Sequence, residues 1–193
     1  MKKLSLIFVL TLFTQLSFAL TGLQKGDKVP EVTLKDTAGK SFSLAGQDKT
    51  TVIVFYRGSW CPYCVKQLKS LNEEVVGKLD PKTMQLVAIS VDRPKVAMKM
   101  KRNFDLKYTV LSDRMANSLK AFKIVNKVDG NLVKTYKNSY KIDIEADSGE
   151  THHMIAHPAV FIVKDSKIIY SDIHTNYKER TKNSEILSHL NLK

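Results

Sequence analysis

Apolar residues follow two rhythms along this chain. Thr51-Val52-Ile53-Val54-Phe55-Tyr56 and Met84 to Val91 are largely apolar runs of strand length, as expected of strands buried on both faces. Between them Val65, Leu68, Leu71, Val75 and Leu79 recur at steps of three and four, which predicts a helix from about Cys61 to Lys78. Upstream, Val32-Thr33-Leu34 and Ser41-Phe42-Ser43-Leu44 alternate around the turn Asp36-Thr37-Ala38-Gly39-Lys40, predicting an N-terminal β-hairpin.

Downstream, Asp92-Arg93-Pro94 reads as the cap and first turn of a helix reaching about Phe104. Tyr108 to Leu111 reads as a short strand, and Ser112 or Asp113 as the cap of a helix to about Ile124. Residues 126–150 are polar and turn-rich. There, Tyr140 to Ile144 and Thr151 to Ile155 form a candidate edge hairpin across Asp147-Ser148-Gly149. Ala159 to Val163 and Lys167 to Tyr170 flank Lys164-Asp165-Ser166 as a second hairpin, and Ile186, Leu187 and Leu190 mark a terminal helix from about Thr181. Strands alternating with helices predict one α/β domain over residues 20–193, with a central mixed β-sheet flanked by helices. The chain carries no internal repeat, low-complexity tract or interdomain linker.

The first residues change the picture of where the domain works. Lys2 and Lys3, the apolar stretch Leu4 to Phe13, and the small residues Ser17 and Ala19 have the order of a secretory signal peptide over residues 1–19. Cleavage after Ala19 takes the formal charge of the 193-residue chain from +12 to +10. The expected location is the periplasm, an oxidising compartment, with no stable membrane insertion after signal cleavage. The lysines are scattered singly, so a solvated basic surface is expected and nucleic acid is not expected as a partner.

The candidate chemistry is concentrated in Cys61-Pro62-Tyr63-Cys64, which holds both cysteines of the chain. At a helix start, unpaired backbone N–H groups and the positive end of the dipole favour thiolate over thiol at Cys61. Pro62 suits the first turn because its missing N–H is not needed there. Cys64 lies about one turn along the same face, so the pair is placed to interconvert between dithiol and disulfide. This makes Cys61 the expected exposed attacking thiolate and Cys64 the more buried resolving thiol, with Trp60 and Tyr63 framing the sulfur. A structural disulfide and a zinc site are the alternatives. The ring is small, so a purely structural bond stabilises little. A zinc site needs more ligands, and only His152, His153 and His157 cluster. Haem attachment requires His after the second Cys, where Val65 stands. No metal and no cofactor is therefore expected.

A second motif is Ala156-His157-Pro158-Ala159-Val160-Phe161, where a proline immediately precedes an apolar strand. With the upstream CxxC, the chain resembles the thioredoxin superfamily. That resemblance implies that Pro158 is a cis-proline packed against the CxxC and that His157 contacts substrate. Gly26-Asp27-Lys28-Val29-Pro30, Phe55 to Cys64, Ile89-Ser90-Val91-Asp92 and Leu111-Ser112-Asp113 resemble its peroxiredoxin-like branch, the alkyl hydroperoxide reductase and thiol-specific antioxidant group.

The resemblance is incomplete at the chemistry. In the family pattern Pro-x-x-x-Thr-x-x-Cys, the Pro position is Arg57, the Thr position is Cys61, and the peroxidatic position is Cys64. The family's distant Arg falls on Pro158, and Arg57 is a candidate source of the missing positive charge. Thioredoxin's buried acid is replaced by Phe55. The resemblance therefore implies a thioredoxin-like fold and a thiol oxidoreductase. Thiol–disulfide exchange is the first reading, thiol peroxidase chemistry the second, and a non-enzymatic binding domain the third. The expected partners are protein or small-molecule disulfides or peroxides, plus a thiol reductant or oxidant.

Overall fold

The structure, a computed structural model, describes residues 22–192. The expected signal peptide lies outside the described residues. Seven strands form one mixed sheet: β1 (Thr33–Asp36), β2 (Ser41–Ser43), β3 (Thr50–Phe55), β4 (Met84–Ser90), β5 (Thr109–Ser112), β8 (Ala159–Lys164) and β9 (Lys167–Ile173). Their order is β2-β1-β5-β4-β3-β8-β9. The centre is parallel, with β3 on β4 and β4 on β5, while β1/β2 and β8/β9 add antiparallel hairpins at the two ends.

The continuous apolar run of β3 is explained by two-sided burial. Val52, Val54 and Tyr56 pack with Leu68 and Leu71 of α1 (Pro62–Glu74) and Ile186 of α6 (Asn183–His189). Ile53 and Phe55 face the opposite layer, with Leu119 of α3 (Asn117–Ala121) and Val133 of α4 (Gly130–Tyr140). There Phe55, Phe122 and Phe161 pack as an aromatic trio with centroids 5.0–5.8 Å apart. Strands β3 and β4 both run toward the same end, so the 57–60 and 91–93 loops meet there.

Three local expectations need correction. The edge hairpin across 147–149 does not form. Asp129 and Asp143 cap α4 and α5 (Ile144–Ser148) instead, accepting from the Asn131 and Ala146 N–H groups. Strand β7 (Met154–Ala156) then pairs with β6 (Val125–Lys127) as a separate two-stranded sheet. The Asp113 carboxylate accepts from the backbone N–H of Asn117, Ser118 and Leu119 at the start of α3, but Ala116 holds the cap position and the helix ends at Ala121. Helix α2 (Pro94–Asn103) starts at Pro94 as expected, yet Arg93 is its cap position and the Asp92 carboxylate turns inward. No helix among the described residues is long and apolar enough to cross a membrane.

Candidate active site

The turn from β3 into α1 brings the CxxC to the C-terminal end of the central strands. The Cys61 N–H donates to Gly58 O at 3.1 Å, and the Val65 N–H donates to Cys61 O at 3.0 Å, so Cys61 is the cap residue and Pro62 the first helical position. Gly58 is required there by contact. A Cβ on it would lie 2.3 Å from the Trp60 indole nitrogen.

Both cysteines are free thiols, and both are fully buried. The exposed Cys61 expected from sequence is therefore corrected. Segment 174–182, which follows β9, covers the pair. From it Arg180 Nη2 reaches to 3.1 Å from Cys64 Sγ and 3.9 Å from Cys61 Sγ. Tyr177 packs edge-on at 5.8 Å against Tyr63, an exposed residue between the cysteines.

The two sulfurs are made unequal by their surroundings. Hydrogen bonding from the Cys64 thiol, the Cys64 backbone N–H, and the positive charges of Arg57 and Arg180 together outweigh desolvation, pulling the Cys61 thiol down to about 6. Burial pushes the Cys64 thiol up, and the hydrogen bond and charge of Cys61 add to the rise; Arg180 opposes it. Arg180 stands nearer Cys64 than Cys61, yet the greater desolvation of Cys64 decides which sulfur holds its proton.

The other sequence candidates fall partly into this site. Arg57 is buried, with its guanidinium 4.8 Å from the ring centroids of both Trp60 and Tyr177 and bonded to Tyr136 Oη at 2.9 Å. Trp60 also packs at 5.7 Å on Tyr136. His157 is half-buried beside this group. Burial is the main cause holding its imidazole below its usual value, the Arg57 charge adding to it, so the ring is neutral near pH 7.

Pro158 is buried at the start of β8, but the cis geometry expected of it is absent, as no described peptide bond is cis. A trans, extended link satisfies the backbone here. The His157 N–H donates to Ile124 O, and Pro158 O accepts from the His174 N–H. Two of the three histidines of the zinc alternative are engaged elsewhere. His152 donates from Nε2 to Arg114 O, and His153 pairs with Glu145.

Residues 25–171 match the profile of the AhpC/TSA family. The chain belongs to that family. Among curated proteins, this AhpC/TSA chain is 25% identical over 104 residues to "Thiol-disulfide oxidoreductase ResA" of Bacillus thuringiensis, covering 53% of this chain and 60% of ResA. It is 33% identical over 92 residues to "Peroxiredoxin Q, chloroplastic" of Gentiana triflora, covering 47% of this chain and 42% of that one. The chain thus spans no more than about three-fifths of these relatives. A peroxiredoxin-like protein from Aquifex aeolicus superposes with a TM-score of 0.70 at 19% identity, over 89% of this chain and 88% of its own. Peroxidoxin BcpB from Mycobacterium tuberculosis gives 0.66 at 17%, over 88% and 95%. The fold is thioredoxin-like, of the peroxiredoxin type.

Two residues of the site escaped the sequence. Arg180 lies outside every motif, in a segment whose cations read as ordinary surface charge. Asp92 reads as a helix cap but is buried. Its Oδ2 accepts from the Ser59 N–H at 2.8 Å, tying the CxxC loop to the end of β4, while Oδ1 has no partner among the described residues. Burial pushes this carboxyl up to about 7.

Proposed function

We propose that this protein is an exported thiol–disulfide oxidoreductase in which Cys61 attacks and Cys64 resolves. The observation that carries the reading is the inequality of the sulfurs, with Cys61 stabilised as thiolate by the proton that Cys64 keeps. With its pKa near 6, Cys61 is about nine-tenths thiolate at pH 7. The Cys61 thiolate attacks one sulfur of a substrate disulfide. A Cys61–substrate disulfide forms, and the other substrate sulfur leaves as a thiolate. Cys64 then loses its proton and attacks Cys61 Sγ, releasing the second substrate thiolate and leaving the Cys61–Cys64 disulfide. Two electrons pass from the protein dithiol to the substrate, and an external thiol reductant restores the pair. Arg57, Trp60 and His157 surround the approach to the sulfurs and position the substrate, and Pro158 holds the start of the neighbouring strand.

The test is equilibration in graded dithiothreitol buffers, with turnover of a protein disulfide such as insulin. A Cys61–Cys64 midpoint above about −300 mV together with insulin reduction supports exchange. A midpoint far below that value marks an inert structural bond and overturns the reading.

A second reading, reduction of hydrogen peroxide or an alkyl hydroperoxide, draws on one observation. Arg180 brings a guanidinium to 3.1 Å from Cys64 Sγ, a positive charge that the sequence did not supply at Pro158. In that chemistry one thiolate takes an oxygen from the peroxide to become a sulfenic acid, the rest leaving as water or an alcohol. The other cysteine condenses with the sulfenic acid, forming the Cys61–Cys64 disulfide and releasing a molecule of water. Stopped-flow mixing with peroxide separates the two, since rapid sulfenate formation in Cys61→Ser favours the peroxidase.

A further inference from the structure

Beside the sulfurs, α1 and the 178–184 segment enclose an open cavity of about 560 Å³. It adjoins the reactive pair, because Tyr63 between the cysteines lines it and so does Arg180, which also touches Cys64. Lys66, Lys178 and Lys182 line the rest of it, and all three are exposed and free of salt bridges among the described residues. The single carboxylate of the cavity, Glu74, is already held by Asn183 Nδ2 at 2.9 Å and Ser70 Oγ at 3.0 Å. These neutral donors favour its ionised form, so the groove carries four cations against one anion. Two donors in the same wall, Arg180 Nε and Thr181 Oγ1, are buried without partners.

We propose that this groove is a substrate subsite for a carboxylate carried a few bonds from the reacting sulfur, and so selects anionic thiols and disulfides. The proposal rests on the reading of Cys61 as the attacking thiolate. A carboxylate seated among Lys66, Lys178 and Lys182 holds its own disulfide over Tyr63, beside the cysteines. As segment 178–182 moves to admit it, the Arg180 and Thr181 donors gain the partners they lack. Two sources offer the same chemistry: a small disulfide of a thiol acid, and an acidic residue flanking a cysteine in a polypeptide.

The test compares rates of Cys61 reaction with dianionic dithiodipropionate and dicationic cystamine, each relative to neutral hydroxyethyl disulfide. A parallel arm uses disulfide-bonded peptides that differ only in Glu or Lys beside the cysteine. The groove variant is Lys66→Gln with Lys182→Gln. The control, Lys40→Gln with Lys82→Gln, removes the same net charge from exposed lysines at the opposite end of the sheet. The anionic probe should react about tenfold faster than the cationic one in wild type, a ratio the groove variant cuts to near unity and the control preserves. Discrimination confined to one arm supports the groove and identifies the source. Equal rates for both charges, or equal loss in groove and control variants, overturn the subsite while leaving disulfide exchange intact. No reaction with any disulfide, neutral probe included, overturns the exchange reading and the subsite with it.

Discussion

Arg180 Nη2 stands 3.1 Å from Cys64 Sγ, although 116 residues separate the two. The contact makes the segment after β9 part of the sulfur environment, since the same nitrogen lies 3.9 Å from Cys61. With Arg57 it supplies the positive charge that favours a thiolate in a buried setting. Arg180→Met should therefore raise the Cys61 pKa. Among the influences that lower it, the Arg180 charge is smaller than that of Arg57 and than the Cys64 hydrogen bonds, so the rise is modest and the thiolate fraction at pH 7 falls below about nine-tenths without being lost. Iodoacetamide alkylation followed against pH reads this directly. The variant should lag at pH 7 and match wild type at pH 9. Coincident curves would remove Arg180 from the acidity of the pair.

Tyr177 holds the cover shut from two sides, against the Arg57 guanidinium at 4.8 Å and the Tyr63 ring at 5.8 Å. A cation–π contact of this kind contributes about 0.5–1 kcal/mol at a half-exposed site. Tyr177→Ala should open the sulfurs more than it destabilises the domain. Labelling of Cys61 by a bulky maleimide should speed up relative to labelling by iodoacetamide, with little change in Tm. An unchanged ratio between the two reagents would mean that Tyr177 does not gate access.

Asp92 gives a pH dependence whose sign follows from burial. Its carboxyl is raised to about 7 in the folded protein, against about 4 when unfolded, so between these values the folded state binds more protons. Its contribution to stability is thus fully favourable below about pH 4 and is lost as pH rises through about 7. Asp92→Asn keeps an acceptor for the Ser59 N–H but carries no charge to bury. The variant should gain stability relative to wild type as pH goes from 5 to 8, by up to a few kcal/mol. Urea unfolding at the two pH values checks it, and a pH-independent difference would contradict a raised carboxyl.

These residues also mark what the sequence makes legible. The order of strands and helices is readable because burial imposes period: Val52 and Val54 against Ile53 and Phe55 on β3, Leu68 and Leu71 on α1. The CxxC is readable because its chemistry is local, four residues at one helix start. Arg180 and Asp92 were not, because each acts through a tertiary contact: a long side chain returning over the site, and a carboxylate turned inward to Ser59. Residues 126–150 misled for a related reason. The alternation Tyr140 to Ile144 is also one turn of helix end and cap, and Asp143 binding the Ala146 N–H decides in favour of α5.

The roles of the two cysteines can be separated by what replaces the second. The largest influence lowering the Cys61 pKa is the hydrogen bond from the Cys64 thiol. Cys64→Ala removes that donor, whereas Cys64→Ser keeps an O–H in its place. Both variants lack the resolving sulfur, so both should accumulate a mixed disulfide with substrate, visible as a mass increase that dithiothreitol reverses. They should differ in pH profile, with Cys61 in Cys64→Ala needing a more alkaline pH to react and Cys64→Ser lying closer to wild type. Cys61→Ser should form no mixed disulfide near pH 7, because the remaining thiol is buried and holds its proton. Efficient trapping of substrate on Cys64 in that variant would reverse the assignment and place the first attack on the sulfur beside Arg180.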